Sequence, residues 1–335
     1  MKGAVSTLRD AIRIREVFEP ISPRLELVEQ FFLRELEGAL PMVREVGSYV
    51  LGGGGKRLRP ALVLLVSRML GYSGDRDVRY GAVVEFIHTA TLIHDDIIDG
   101  SDLRRGQPTA NRRWSNEITV LVGDWLYSRS MDLCLEYGDV EVMKRLNAAT
   151  LRMTEGEILS AHVRGRVDVD EKLFMDITRC KTAELFAAAC SIPALFEPST
   201  HRYEDHLRQF GLDLGLCFQL VDDVLDFTSD QEEVGKPVMA DLCEGRATLP
   251  ILLLLERIDA GTRKKIEAVA RDRCFEAISE QELLDLVQQS GVLDEVRLRA
   301  AALAEKAAEV ARFLPECRER EALIGATQLL LKRRK

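Results

Sequence analysis

Six aspartates in two like-patterned groups, Asp95-Asp96-Ile97-Ile98-Asp99 and Asp222-Asp223-Val224-Leu225-Asp226, carry the plainest chemical meaning in this chain. On a helix, aspartates at the first, second and fifth positions place two carboxylates on one face a turn apart, with the third beside them. Carboxylates crowded against apolar neighbours resist ionisation and cost stability unless positive charge compensates. A divalent cation is the natural compensator. Oxygen-only ligands favour Mg²⁺, for which Mn²⁺ can substitute, over zinc, and Mg²⁺ is usually held by one or two carboxylates plus substrate phosphate oxygens. The expected arrangement is two metal-carrying helix faces around one polyphosphate. A single such group would read equally well as a solvated acidic edge. The duplication, and the apolar runs 86–93 and 215–221 that precede the two groups, point away from that reading.

The complementary cations are also visible. Gly52-Gly53-Gly54-Gly55-Lys56-Arg57-Leu58-Arg59-Pro60 joins a glycine loop, a basic cluster and a proline placed for the first turn of a helix. Backbone N–H groups at a helix start, with Lys and Arg beside them, can hold a diphosphate. The segment is not a Walker A loop, because Arg57 follows Lys56 where Ser or Thr would be needed and no strand precedes the glycines. Arg104 and Arg105 follow the first aspartate group, and as adjacent residues they can face two different phosphate groups. Lys181 and Lys236 add two further candidate cations.

Helices must position these residues. Windows such as 207–226, 280–293 and 296–313 show apolar residues at three- and four-residue spacing in a background of Ala, Leu, Glu, Lys and Arg, and no useful β-type alternation appears. Glycines and prolines at 52–55, 71–74, 100, 138, 193–198 and 235–237 mark short loops. The expected fold is all-α, one unit over 1–335, with the site built between facing helices around a central cavity. At 335 residues, 46% hydrophobic and 30% charged, the chain can bury a large core. A net charge of -9 argues against nucleic acid as a partner. Seven scattered cysteines without a C-x-x-C pair read as reduced core residues of a cytoplasmic protein. The start lacks the apolar core of a secretory signal, and no run is long enough to span a bilayer.

Taken in order, GGGGKRLRPAL, EFIHTATLIHDDIIDGSDLRRGQPTAN, VLVGDWLYSR, CKTAELF, GLCFQLVDDVLDFTSD and GKPVMADLCEGRATLPILLL give the chain a resemblance to the trans-isoprenyl diphosphate synthases, in their long-chain, octaprenyl-type branch. The resemblance covers nearly the whole chain. It implies the all-helical isoprenoid synthase fold, dependence on about three Mg²⁺ ions, a homodimer, and head-to-tail condensation of an allylic diphosphate, farnesyl diphosphate above all, with isopentenyl diphosphate. Residue by residue, Lys56, Arg59, His88 and Arg105 match the family's isopentenyl diphosphate site. Asp95, Asp96, Asp99, Asp222, Asp223 and Asp226 match its metal-binding aspartates. Arg104, Lys181, Thr182, Gln219 and Lys236 match its allylic diphosphate contacts. Arg246 stands where many relatives carry Lys, which keeps the charge. His94 matches no functional position and reads as a hydrogen-bonded core histidine.

The implied chemistry needs no protein nucleophile. Metal ions with arginines and lysines stabilise the departing diphosphate, an allylic carbocation forms in an apolar pocket, the second alkene attacks it, and a proton leaves to the released diphosphate. Ala90 and Thr91, in the turn before Asp95, are small where early-stopping relatives carry aromatic groups. The product is therefore expected to grow to about C40, a length suited to quinone side chains, with Met143 or Leu146 forming the pocket floor. The competing readings are a shorter-chain synthase, a class I terpene cyclase, a non-catalytic prenyltransferase subunit and a plain helical scaffold. A cyclase normally mixes Asn, Ser or Thr with Glu at its second metal site, and partner subunits typically lose aspartates or the glycine loop; this chain repeats DDxxD and keeps both. The basic end, 332–335, allows at most peripheral contact with anionic lipid.

Overall fold

The computed structural model describes residues 17–54, 57–104, 106–228 and 239–332. In chain order the helices are α1 (Ser22–Glu37), α2 (Pro41–Gly52), α3 (Leu58–Met69), α4 (Arg76–Asp99), α5 (Ala110–Arg113), α6 (Asn116–Glu136), α7 (Val140–His162), α8 (Glu171–Thr178) and α9 (Glu184–Ser191). They continue as α10 (Glu204–Thr228), α11 (Ala240–Cys243), α12 (Leu249–Leu255), α13 (Ala260–Asp272), α14 (Glu280–Gln289), α15 (Val292–Arg312) and α16 (Arg318–Leu331). Between α4 and α5 a two-residue hairpin pairs β1 (Leu103–Arg104) with β2 (Gln107–Pro108). The all-α expectation holds.

Helix α3 explains much of the packing. It is apolar on every side, with Pro60 to Ser67 all buried, so it must be enclosed. Val63 joins one core cluster, built around α4 and α6, while Ala61, Leu62, Leu64 and Leu65 join a second, built around α10 and α15. The two long aspartate helices, α4 and α10, thus sit on either side of a shared hydrophobic interior. Phe32 of α1 stacks on Phe86 of α4 with ring centroids 3.9 Å apart. Four residues before Asp95, Thr91 opens the cavity described below.

Local chemistry accounts for the helix ends. Ser115, Asp170 and Ser279 accept a backbone N–H from the first turns of α6, α8 and α14. Gly100 closes α4 in the left-handed conformation that glycine adopts without strain. The stretch expected to run from 280 to 293 is broken at Gly291, whose φ of +73 ends α14 and starts α15. Of the cysteines, Cys134, Cys180, Cys190 and Cys217 are buried, but Cys243, Cys274 and Cys317 are half-buried. His94 is likewise half-buried rather than in the core, because it lies over Gly123 of α6 with its Nε2 3.2 Å from the Val120 carbonyl. No helix among the described residues is long and apolar enough to cross a membrane.

Candidate active site between the two aspartate helices

Both aspartate groups open onto one cavity of about 410 Å³. Asp95 and Asp99 come from α4, Asp222 and Asp223 from α10, and Asp241 from α11. Asp96 and Asp226 lie behind this lining. Asp96 is 6% exposed and is held by Arg104, whose Nη2 and Nε approach its Oδ1 to 2.7 and 2.8 Å. Asp226 accepts the Ala240 N–H at 3.2 Å.

Burial controls the charge here. It pushes the Asp95 carboxyl up to about 6, with Glu157 and Asp99 adding repulsion that Lys181 and Arg104 partly offset. Burial and the neighbouring Asp241 hold Asp223 and Asp226 well above the usual carboxylate range. Asp223 Oδ2 and Asp226 Oδ2 are buried without a hydrogen-bond partner. Such oxygens are unfavourable as they stand and would be satisfied by a cation. Among the described residues no three Asp, Glu, His or Cys side chains already stand together as a cage for an ion. Arginines engage the carboxylates instead: Arg246 Nη1 lies 2.6 Å from Asp99 Oδ2 and its Nη2 2.5 Å from Asp241 Oδ1. The donor set therefore fits hard divalent cations in its all-oxygen chemistry and its unsatisfied atoms.

The remaining predicted residues gather on the same cavity. Arg59 reaches from α3 to His88 of α4, Nη1 to Nε2 3.2 Å, with its guanidinium 4.5 Å above the Phe186 ring. Burial lowers the pKa of Arg59 to about 10, against the pull of Glu85 and Asp222, so it stays charged at neutral pH. Lys181 and Thr182 sit in a widened π-type turn, Arg179–Ala183, a departure from regular helix that recurs at functional sites. Gly156 of α7 lets that turn come close, since a Cβ there would fall 2.6 Å from Cys180 Cβ and 2.9 Å from Lys181 N. The approach brings Glu157 into an ion pair with Lys181. Thr182 donates to Gln219 at 3.0 Å, and Gln219 donates to Asp223 at 2.9 Å, so a single chain of hydrogen bonds ties the 179–183 turn to the second aspartate group on α10. Lys56, Arg105 and Lys236 lie outside the described residues.

The expected chain-length residues divide. Thr91 lines the cavity together with Leu92, Met153 and Phe218. Ala90 does not, being 2% exposed in the core cluster around α4 and α6. The reason is rotation: four residues before Asp95 returns to nearly the same face, whereas five lies about 140° away from it. Met143 and Leu146 are packed in that same core cluster and are not part of the cavity lining, which on α7 includes Met153. Leu146 is one heptad from Met153, on the same side of the helix. Sequence reasoning gave no role to Asp241, although it lies in the 235–254 segment, nor to Glu157 and Arg164, which no local motif marks; all three reach the site only through tertiary packing.

Comparison with known proteins then decides the family. The profile described as Polyprenyl synthetase matches residues 40–287. The chain belongs to that family. It is 37% identical to the octaprenyl diphosphate synthase of Escherichia coli (strain K12) over 310 residues, covering 91% of this chain and 94% of that one. It is 33% identical to the all-trans-nonaprenyl-diphosphate synthase (geranyl-diphosphate specific) of Rhodobacter capsulatus, covering 95% and 98%. The crystal structure of a polyprenyl synthase from Caulobacter crescentus CB15, complexed with calcium and isoprenyl diphosphate, superposes with a TM-score of 0.89 at 33% identity, covering 96% and 98%. The chain is a prenyltransferase of the polyprenyl diphosphate synthase kind, and the family depends on divalent metal.

Proposed function

We propose that this enzyme extends farnesyl diphosphate with isopentenyl diphosphate to an all-trans product of about C40, of the kind carried by quinones. The observation that carries the reading is the convergence of both aspartate groups, six cationic side chains and an apolar wall on one cavity. The small Thr91 side chain, where a bulky residue would block a growing tail, supports a long product, as do the relatives named for eight and nine isoprene units.

In this reading Asp95, Asp99, Asp222 and Asp223 would hold about three Mg²⁺ ions, with Asp96 and Asp226 orienting those carboxylates from behind. Bound there, the metal neutralises the diphosphate and eases rupture of the allylic C–O bond. Arg104, Lys181 and Arg246, with Lys236, grip the allylic diphosphate and take up the charge that develops as it leaves. Arg59 and His88, with Lys56 and Arg105, fix the second diphosphate so that its alkene lies against the cation. Leu92, Met153 and Phe218 exclude water from that cation, and the departing diphosphate accepts the proton.

The acting unit is a homodimer in the cytoplasm, each chain folding as one piece. Support comes from α6 and α7, which pack on each other and leave Leu121, Leu151 and Ile158 exposed at 62%, 58% and 63%. Leu151 and Ile158 are one heptad apart on one face, an apolar stripe of the kind that marks an interface.

The test is steady-state incorporation of labelled isopentenyl diphosphate with C5, C10 and C15 allylic primers, with Mg²⁺ and with EDTA. The farnesyl primer is expected to give the highest kcat/KM, with one diphosphate released per unit added and no turnover in EDTA. Preference for the C5 primer, or turnover without metal, would contradict the reading.

A further inference from the structure

Beyond α7 the chain carries an arginine that the assignments above leave unused. Arg164 Nη2 lies 2.5 Å from Asp99 Oδ1, and its Nη1 donates to the Ile98 carbonyl at 2.8 Å. Arg246 takes the other oxygen of the same carboxylate, Oδ2, at 2.6 Å. Asp99 is thus held on both oxygens by guanidinium groups from two different loops. The Arg164 side chain is only 11% exposed and lines the cavity beside Arg246.

The backbone builds this arrangement. Gly165 N–H donates to the Gly245 carbonyl at 2.8 Å. Both glycines have positive φ, +79 and +80, and a Cβ on Gly245 would come within 3.0 Å of Arg164 Cγ and 3.1 Å of Gly165 N. The turn Arg164-Gly165 and the turn Gly245-Arg246 therefore dock against each other and deliver two guanidinium groups into one cavity. When Asp99 is drawn to a divalent cation, Arg246 keeps Asp241 and Glu244, whereas Arg164 loses the carboxylate it is paired with. The largely buried Arg164 guanidinium beside a cation then needs a new anion, and a diphosphate arriving with the metal supplies it. The planar fork that fits a carboxylate fits a phosphate equally.

We propose that Arg164 is a further diphosphate-binding residue, paired with Asp99 in the ligand-free site and turned to the allylic diphosphate beside Arg246 in the loaded one. This rests on the reading of the cavity as an allylic diphosphate site.

The experiment is calorimetric titration of the full-length wild type, R164Q and R164K with inorganic diphosphate in Mg²⁺, and separately with Mn²⁺ alone. R164Q is expected to bind diphosphate roughly 10- to 100-fold more weakly, the loss of one or two charge-assisted hydrogen bonds, with R164K recovering part. R164Q should bind Mn²⁺ at least as tightly as the wild type, because Asp99 has lost a competitor. Diphosphate binding by R164Q within twofold of the wild type overturns the proposal, as does a parallel loss of Mn²⁺ binding, which marks a collapsed site. Should circular dichroism show R164Q unfolded, R164K decides: several-fold weaker diphosphate binding supports the role, and equal binding removes it. A wild type that takes up no inorganic diphosphate overturns the cavity reading itself, whereas normal wild-type binding with unaffected variants removes only Arg164.

Discussion

At the level of single residues, function and stability are set against each other in the aspartates. Asp95 has its carboxyl raised from 3.8 to about 6, mainly by burial. A carboxyl whose pKa is higher folded than unfolded favours folding when protonated, so its stabilising effect is present below about pH 4 and is lost as pH rises through 6. In EDTA, Asp95→Asn should therefore melt above the wild type at pH 8, the difference shrinking towards pH 4; calorimetric scans across that range check it. The same substitution should lower kcat by roughly 10²- to 10³-fold at saturating metal, the effect of removing one electrostatic stabiliser. A variant that gained stability and kept its rate would remove Asp95 from the metal-binding set. These carboxylates were legible in the sequence because a DDxxD group states its geometry locally, through helix spacing alone. Arg164 and Glu157 were not, since their partners Asp99 and Lys181 reach them only through the fold.

Among the helices, α4 shows how one residue of spacing decides a role. Thr91 faces the cavity and Ala90 faces the core, although both are small and adjacent. Thr91→Phe is predicted to shorten the product by several isoprene units with the first condensations intact, measured as product distribution under single-primer conditions. Ala90→Phe should instead lower the melting temperature, because an added ring has no space in a close-packed interior. On the outer side, Leu121→Glu with Ile158→Glu should convert a dimer to monomers in light scattering. Helix existence was readable from periodicity almost everywhere. The break at Gly291 was not, because an isolated glycine inside an apolar-periodic stretch is ambiguous until its φ is known.

For the molecule as a whole, the sequence pattern carried the architecture because local propensity, helix spacing and loop signals agree. It carried less of how the two halves meet. The enclosure of α3 by both core clusters, and the docking of the 163–166 turn on the 243–248 turn, depend on contacts far apart in the chain. The cavity formed there holds like charges that a loaded site would neutralise. Mg²⁺ with inorganic diphosphate should therefore raise the melting temperature together more than either does alone, since a ligand at a hundred times its Kd adds about 2.7 kcal/mol to stability. The measurement to make before all others is mass spectrometry of the products formed from farnesyl diphosphate, isopentenyl diphosphate and Mg²⁺ by the purified chain alone. A discrete all-trans product near eight isoprene units is predicted. A stop at C20 would contradict the pocket depth assigned to Thr91, and no elongation at all would mean that the chain by itself does not form the complete synthase.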